Sequence, residues 1–302
     1  MRIVVSGATG FIGSALVKHL TAAGHQVVPL GRSRSDPRGI VWNPEAGQIE
    51  AEKLAGTDAV VHLAGENIAS GRWTAAKKAR LVNSRVKGTR LLADTLAKMS
   101  SPPQTLVSAS AIGYYGDRGS EVLREESPPG RGFLAELCKQ WEASTDAATR
   151  KGIRVVHTRL GIVLAAHGGV LGKMLLPFKL GVGGKIGSGN QYMSWISLDD
   201  LCSAFLHTLQ STALHGAVNA VAPNPVTNQQ FTKALGRVLA RPTIFPIPAF
   251  AARLAMGEMA DDLLLFSARV EPAKLLAARF AFKHTELESA LKSILSSRRH
   301  AD

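Results

Sequence analysis

The 302-residue chain is poor in cysteine and in long apolar runs, and two long stretches of it contain no acid. Cys138 and Cys202 stand far apart in apolar helical contexts, without Cys-x-x-Cys or histidine-rich spacing. No metal is expected, and a reducing compartment is. No window reaches about 18 uncharged apolar residues, which argues against a spanning helix and against a membrane partner. The first residues enter a strand pattern with no charged leader, apolar segment or cleavage site ahead of it, so the expected location is cytoplasmic. A hydrophobic content of 45% supports a full core, enough for one large α/β domain with an appendage or for two domains.

The missing acid is regional. Asn67 to Ala93 contains none but has seven bases, Arg72, Lys77, Lys78, Arg80, Arg85, Lys87 and Arg90. Ala147 to Leu198 again has none, with Arg150, Lys151, Arg154, Arg159, Lys173, Lys179 and Lys185, and the whole chain carries a net charge of +13. Two readings stay open: a positive field over one cleft, suited to a small anionic substrate, or a solvated basic face. The basic runs lack interleaved aromatics and any recognised binding motif, so nucleic acid is not expected as a partner.

Short apolar runs, "RIVVSG", "HQVVPLG", "DAVVHLAG", "TLVSAS" and "IRVVHTRLG", alternate with segments of helical length at Ile12 to Ala23, Trp73 to Lys98 and Gly132 to Arg150. That order predicts βαβ units and a parallel sheet covered on both faces. Ile12, Leu16 and Leu20 form the apolar stripe of the first helix, and Gly24 is its expected stop. Eight glycines between Gly168 and Gly189 predict a long mobile loop. His62 and His157, each inside an apolar strand, are expected as satisfied core histidines. Asp199 and Asp200 are expected to cap the helix after "WIS", with Trp195 packed beneath.

Gly7, Gly10 and Gly13, in "SGATGFIGSALVKHL", follow a strand and open a helix. A tight strand-to-helix turn with bare backbone lets a pyrophosphate approach, and the helix start offers unpaired amides and a positive dipole end. The spacing differs from the usual dinucleotide fingerprint, so context carries the reading. The next strand ends at Gly31, Arg32 and Ser33 with no acid to hold ribose hydroxyls, while Arg32 and Arg34 offer guanidinium donors to a 2′-phosphate. The expected cofactor is NADP(H).

"GATGFIG", "VVHLAGENI", "NSRVKGTRLLADTL", "VSASAIGYYG", "RLGIVLAAHGG" and "WISLDDL" occur in an order that resembles the extended and atypical short-chain dehydrogenases. The tail, with "NAVAPNPVTNQQF" and "LLLFSARVEPAKLLAARFAFKHTELESAL", resembles their epimerase-like subgroup that carries a C-terminal domain of unknown function. The resemblance implies a Rossmann-type, doubly wound parallel sheet over residues 1–165 and a smaller α/β substrate portion over 166–302, with some interleaving of the two. It implies that Gly7, Thr9, Gly10, Phe11, Ile12 and Gly13 wrap the pyrophosphate and that Arg32 holds the 2′-phosphate. It places Leu63, Ala64 and Gly65 beside adenine and ribose, Asn83 near the inner face, Ser108 and Ser110 at the catalytic strand end, and Leu160, Gly161 and Ile162 at the nicotinamide.

One feature of the family is missing. Its enzymes pair a tyrosine and a lysine as Tyr-x-x-x-Lys on the next helix, the lysine lowering the tyrosine pKa for proton exchange during hydride transfer. Here the helix reads "GRGFLAELCKQWEAS": Lys139 follows Ala135 by four residues, and alignment on Glu142 puts Leu134 and Cys138 at the pair. Ser110 and Tyr114 are the substitute catalytic candidates, with Glu66 and Arg85 as further ligand contacts or as a pair with each other. Two functions stay open: an NADP(H)-dependent oxidoreductase or epimerase-like enzyme acting on a small anionic substrate, and an NADP(H)-binding sensor without turnover.

Overall fold

A computed structural model of the chain describes residues 1–33 and 37–296. The first half runs β1 (Arg2–Ser6), α1 (Phe11–Ala22), β2 (Gln26–Gly31), β3 (Ile40–Asn43), β4 (Gln48–Ile49), β5 (Ala59–His62), α2 (Ala75–Lys98), β6 (Thr105–Ala111), β7 (Val122–Leu123), α3 (Phe133–Ala143), α4 (Asp146–Arg150) and β8 (Arg154–Leu160). The second half runs β9 (Ile162–Leu164), α5 (Gly169–Lys179), β10 (Tyr192–Met193), β11 (Trp195–Ser197), α6 (Leu198–Gln210), β12 (Gly216–Ala220), β13 (Val226–Thr227), α7 (Asn228–Leu239), α8 (Ala249–Met256), β14 (Arg269–Val270), α9 (Ala273–Ala277) and α10 (Leu287–Ser296).

Eight strands form the main sheet in the order β12-β8-β6-β5-β1-β2-β3-β4, and only the β3–β4 pair is antiparallel. The chain leaves β1 toward β2 on one side and returns to β5 on the other. The crevice outside the carboxyl ends of β1 and β5 is therefore the topological switch point, where a doubly wound sheet binds its ligand.

Both faces of the sheet are buried, so its strands read as continuous apolar runs. Ile3 and Val5 of β1 point into one core with Leu16 and Leu20 of α1 and Leu201 and Phe205 of α6. Val4 points into the other with Leu92 and Leu96 of α2 and Ala148 of α4. Each fully buried Leu, Ile or Phe contributes roughly 1.5–3 kcal/mol. α2 starts at the Thr74 cap, whose hydroxyl accepts from the Lys77 amide, and α1 stops before Gly24 at a φ of +81°.

The tail does not stay apart from the sheet: α6 packs on α1 and β12 extends the sheet beside β8. A third core forms from Leu164, Trp195, Phe231, Leu235, Leu287 and Leu291. Into it go Leu171, Leu175 and Phe178, so the first half of the glycine-rich stretch is the helix α5 and not a loop. The i, i+4, i+7 spacing of those three side chains outweighs Gly169 and Gly172. The helical segment at Gly132 to Arg150 is also two helices, α3 and α4, broken at Ser144 and Thr145.

Candidate functional site

The glycine turn is closed by backbone. Gly7 has φ +69° and its carbonyl accepts from the Gly10 amide at 2.9 Å. A Cβ on Gly13 would lie 2.0 Å from that carbonyl oxygen, so no side chain fits there while the turn keeps its shape. α1 has no side-chain cap and no acid in its first turn, which leaves its amides and positive dipole end for an external anion. Thr9 and Gly10 are exposed, and Phe11 lies under the start of α5, where a Cβ on Gly168 would come 2.9 Å from its ring. Ile12 packs inward on the sheet.

The neighbouring strand end is held by a chain of hydrogen bonds. Ser6 Oγ accepts from the amides of Leu63 and Ala64 at 3.1 and 3.2 Å. Its proton is then left for His62 Nδ1 at 2.6 Å, which fixes the proton of the neutral imidazole on Nε2, facing Thr89 Oγ1 at 3.0 Å. Burial pushes the His62 pKa down to about 4, so this core histidine stays neutral as expected from the sequence. Thr89 also accepts from Trp141 Nε1 of α3.

Arg32 is exposed at the end of β2, and Arg34 lies outside the described residues. Leu160 ends β8, Ile162 opens β9, and between them a Cβ on Gly161 would meet the Ser194 carbonyl oxygen at 2.7 Å. Asn83 is about 200° around α2 from buried Leu81. Leu81, Arg85 and Gly88 share one face of α2, and partly buried Asn83 lies on another.

Glu66 and Arg85 do not pair. The Glu66 carboxylate takes Lys77 Nζ at 2.7 Å, and that hydrogen bond leads the effects that lower its pKa, while Arg80 Nε stands at 3.6 Å. Several other bases are structural as well: Arg154 donates to the carbonyls of Thr208, Leu209 and Leu214, and Lys78 pairs with Glu258.

Ser108 and Ser110 are each 1% exposed at the end of β6. The Ser110 hydroxyl donates to Glu142 Oε1 at 2.7 Å, so in this arrangement its proton is engaged by that carboxylate. Glu142 in turn forms a forked pair with Arg159, Nε to Oε1 and Nη2 to Oε2, both at 2.9 Å. Burial works against the Arg159 charge, but the Glu142 carboxylate outweighs it and raises the pKa. Arg159 also donates to Tyr115 Oη at 2.9 Å, and that hydroxyl donates to Asn219 Oδ1 at 2.7 Å. Tyr114 lies flat on the Arg159 guanidinium at 3.5 Å. On α3 the buried positions are Leu134, Ala135, Leu137, Cys138 and Trp141. Burial, the leading cause, pushes the Cys138 thiol up to about 12, so it is neutral beside Ser110.

Beyond this network a cavity of about 230 Å³ opens between Gly113, Arg131 and Leu134 on one side and Asp262, Leu265 and Phe266 of the tail on the other. Asp262 Oδ2 is buried there without a partner among the described residues, and burial, then Glu258, raise the carboxyl pKa. The segment Asp261–Leu265 is a π-helical turn, a geometry frequent at functional sites. Sequence reasoning missed Glu142, Arg159 and Asp262; an arginine inside the apolar strand "RVVHTRLG" was the available signal for a buried partner.

With the geometry in place, the similarities can be read. The family model "NAD dependent epimerase/dehydratase family" matches residues 3–221, and "Domain of unknown function (DUF1731)" matches residues 247–294. The chain belongs to the NAD dependent epimerase/dehydratase family. An epimerase family protein of Mycobacterium bovis, Mb2239, is 43% identical over 290 residues, 96% of each chain. The Arabidopsis thaliana SDR39U1 homolog, named as chloroplastic, is 38% identical and spans 98% of this chain and 87% of its own. The crystal structure of human SDR39U1 with NADPH superposes with a TM-score of 0.88 at 35% identity, covering 98% of this chain and 99% of that one. The Rossmann-type fold expected from the sequence is borne out. No described helix is long and apolar enough to cross a membrane. Among the described residues no cluster of three His, Cys, Asp or Glu could hold a metal ion.

Proposed function

We propose that this family member binds NADPH across the carboxyl ends of β1 and β5 and acts as an oxidoreductase or epimerase-like enzyme on a small, anionic molecule. The observation that carries the reading is the glycine turn: Gly13 packs so closely on the Gly7 carbonyl that only bare backbone fits, at a helix start without cap or acid. The human relative crystallised with NADPH supports the choice of cofactor. Gly7, Thr9, Gly10, Phe11, Ile12 and Gly13 would hold the pyrophosphate and Arg32 the 2′-phosphate. Leu63, Ala64 and Gly65 would flank adenine and ribose, and Leu160, Gly161 and Ile162 the nicotinamide end, where the bound cofactor supplies hydride chemistry.

The 230 Å³ cavity beside Gly113 and Leu134 is the place for the substrate, with Arg131 and Arg253 on its wall. Tyr114, whose hydroxyl has no partner among the described residues, is the proton donor of this reading. One observation favours the alternative, an NADPH sensor without turnover: the Ser110 hydroxyl is committed to Glu142, and α3 presents Leu134 and Cys138 where an acid–base pair would stand.

The test starts from the purified protein stripped of nucleotide and titrated with NADPH and NADH, alongside Arg32→Ala. A preference for NADPH that the variant loses supports the cofactor reading; no binding of either nucleotide sinks it. Oxidation of NADPH with any of a panel of carbonyl compounds then separates enzyme from sensor, and a Tyr114→Phe variant with full turnover removes Tyr114 as donor.

A further inference from the structure

One cation in the cleft has donors to spare. Arg85 projects from α2 toward the ends of β5 and β6, and its guanidinium lies so close to Gly65 that a Cβ there would be 3.3 Å from Cζ. It lies 5.0 Å from the centre of the Trp141 ring, a cation–π contact that fixes its plane without using its N–H groups. Among the described residues its one hydrogen bond is a long one, Nη1 to the Leu81 carbonyl at 3.3 Å, and no carboxylate reaches it. A guanidinium carries five donors and stays charged, and half-burying it with most of them unused is unfavourable. Glu66 favours the charge from a distance but is hydrogen-bonded to Lys77, and the Cys138 thiol is neutral, so neither takes up the free N–H groups. Arg159 has Glu142 as counter-ion and Arg154 has three backbone carbonyls, so the fold does supply partners where it keeps a guanidinium for structure alone.

We infer that Arg85 is a binding residue of the cleft, taking paired oxygen acceptors of a ligand bound beside Gly65. Two sources present that chemistry, the vicinal hydroxyls of the cofactor ribose next to nicotinamide and a carboxylate on the substrate. The inference rests on the proposed cofactor reading for the first source and is independent of it for the second. Arg85 moves no proton at neutral pH; it orients the ligand and stabilises negative charge that develops on an oxygen.

Calorimetric titration of nucleotide-free wild type, Arg85→Met and Arg85→Lys decides it, with three probes: NADPH, adenosine 2′,5′-bisphosphate, which lacks the nicotinamide riboside, and malonate added to the NADPH-treated protein. If the ribose is the source, Arg85→Met loses about tenfold in NADPH affinity, keeps its affinity for the bisphosphate, and Arg85→Lys recovers part of the loss. If the carboxylate is the source, both nucleotides bind unchanged and malonate binding by the wild type disappears in Arg85→Met. Equal affinities for all three probes in wild type and Arg85→Met overturn the inference, as does a parallel loss for every probe accompanied by a lower melting temperature. Failure of the wild type to bind the bisphosphate instead sinks the cofactor reading, and malonate alone then judges Arg85.

Discussion

The two ends of the cleft are built by opposite means. At the glycine turn the shape comes from backbone: Gly7 at positive φ, Gly13 against its carbonyl, and amides at the start of α1 left open. At the end of β6 the shape comes from side chains already bonded to one another, Ser110 to Glu142, Glu142 to Arg159, Arg159 to Tyr115 and Tyr115 to Asn219. The first end is open to a ligand and the second is tied shut, except for the cavity beside it and Arg85, which has no carboxylate in salt-bridge contact among the described residues. An anion-binding turn can be specified by three small residues close in sequence, whereas a buried ionic network needs partners contributed by separate elements.

The largest effect should come from breaking the backbone end. Gly13→Ala forces a Cβ to 2.0 Å from the Gly7 carbonyl oxygen, a contact that neither backbone can relieve without opening the turn. NADPH binding should fall below detection by calorimetry while far-ultraviolet circular dichroism still reports a folded α/β protein. Unchanged affinity in that variant would mean that the nucleotide does not sit on this turn.

The side-chain end should fail differently, through stability. Glu142→Ala leaves Arg159 buried and uncompensated, since the side chains of the pair are only 13% and 4% exposed. The expected loss is about 3–5 kcal/mol of unfolding free energy in urea titration. The double variant Glu142→Leu with Arg159→Met should recover most of it, because no charge then remains unpaired. A loss below about 1 kcal/mol in the single variant would mark the pair as solvated and of little weight.

The same contrast explains what could be read in advance. Alternating apolar runs and helical segments, and the glycines between β1 and α1, are local patterns, and each reports its own element. The helix α5 was hidden because it lies in a stretch with eight glycines, only two of them its own, while Leu171, Leu175 and Phe178 keep a helical period. Glu142 and Arg159 are 17 residues apart on different elements, and Asp262 reaches the cavity from the tail. Such meetings are set by how α3, β8 and the tail pack, which no window of sequence contains. Asn83 and Arg85 lie two positions apart on α2 and so on different faces of it, which a motif match alone does not distinguish.

The link between the two ends is His62, and it sharpens the comparison through pH. The ring is neutral, accepts from Ser6 and donates to Thr89, so the Leu63 and Ala64 amides at the open end are joined through it to Trp141 on α3. Its pKa is depressed from 6.5 to about 4 in the folded state. The unfolded chain therefore binds the extra proton first as pH falls, and stability is lost between about pH 6.5 and pH 4, not on the alkaline side. The depression corresponds to about 3 kcal/mol by pH 4. Protonation also places a second N–H against the Ser6 hydroxyl, which must rotate away from its present bond. Urea unfolding of wild type and His62→Asn at pH 7, 6, 5 and 4 isolates this group, because the other acid-sensitive residues are common to both. The wild type should lose about 3 kcal/mol more than the variant over that range, and identical pH slopes would show that the folded state does not hold this histidine neutral.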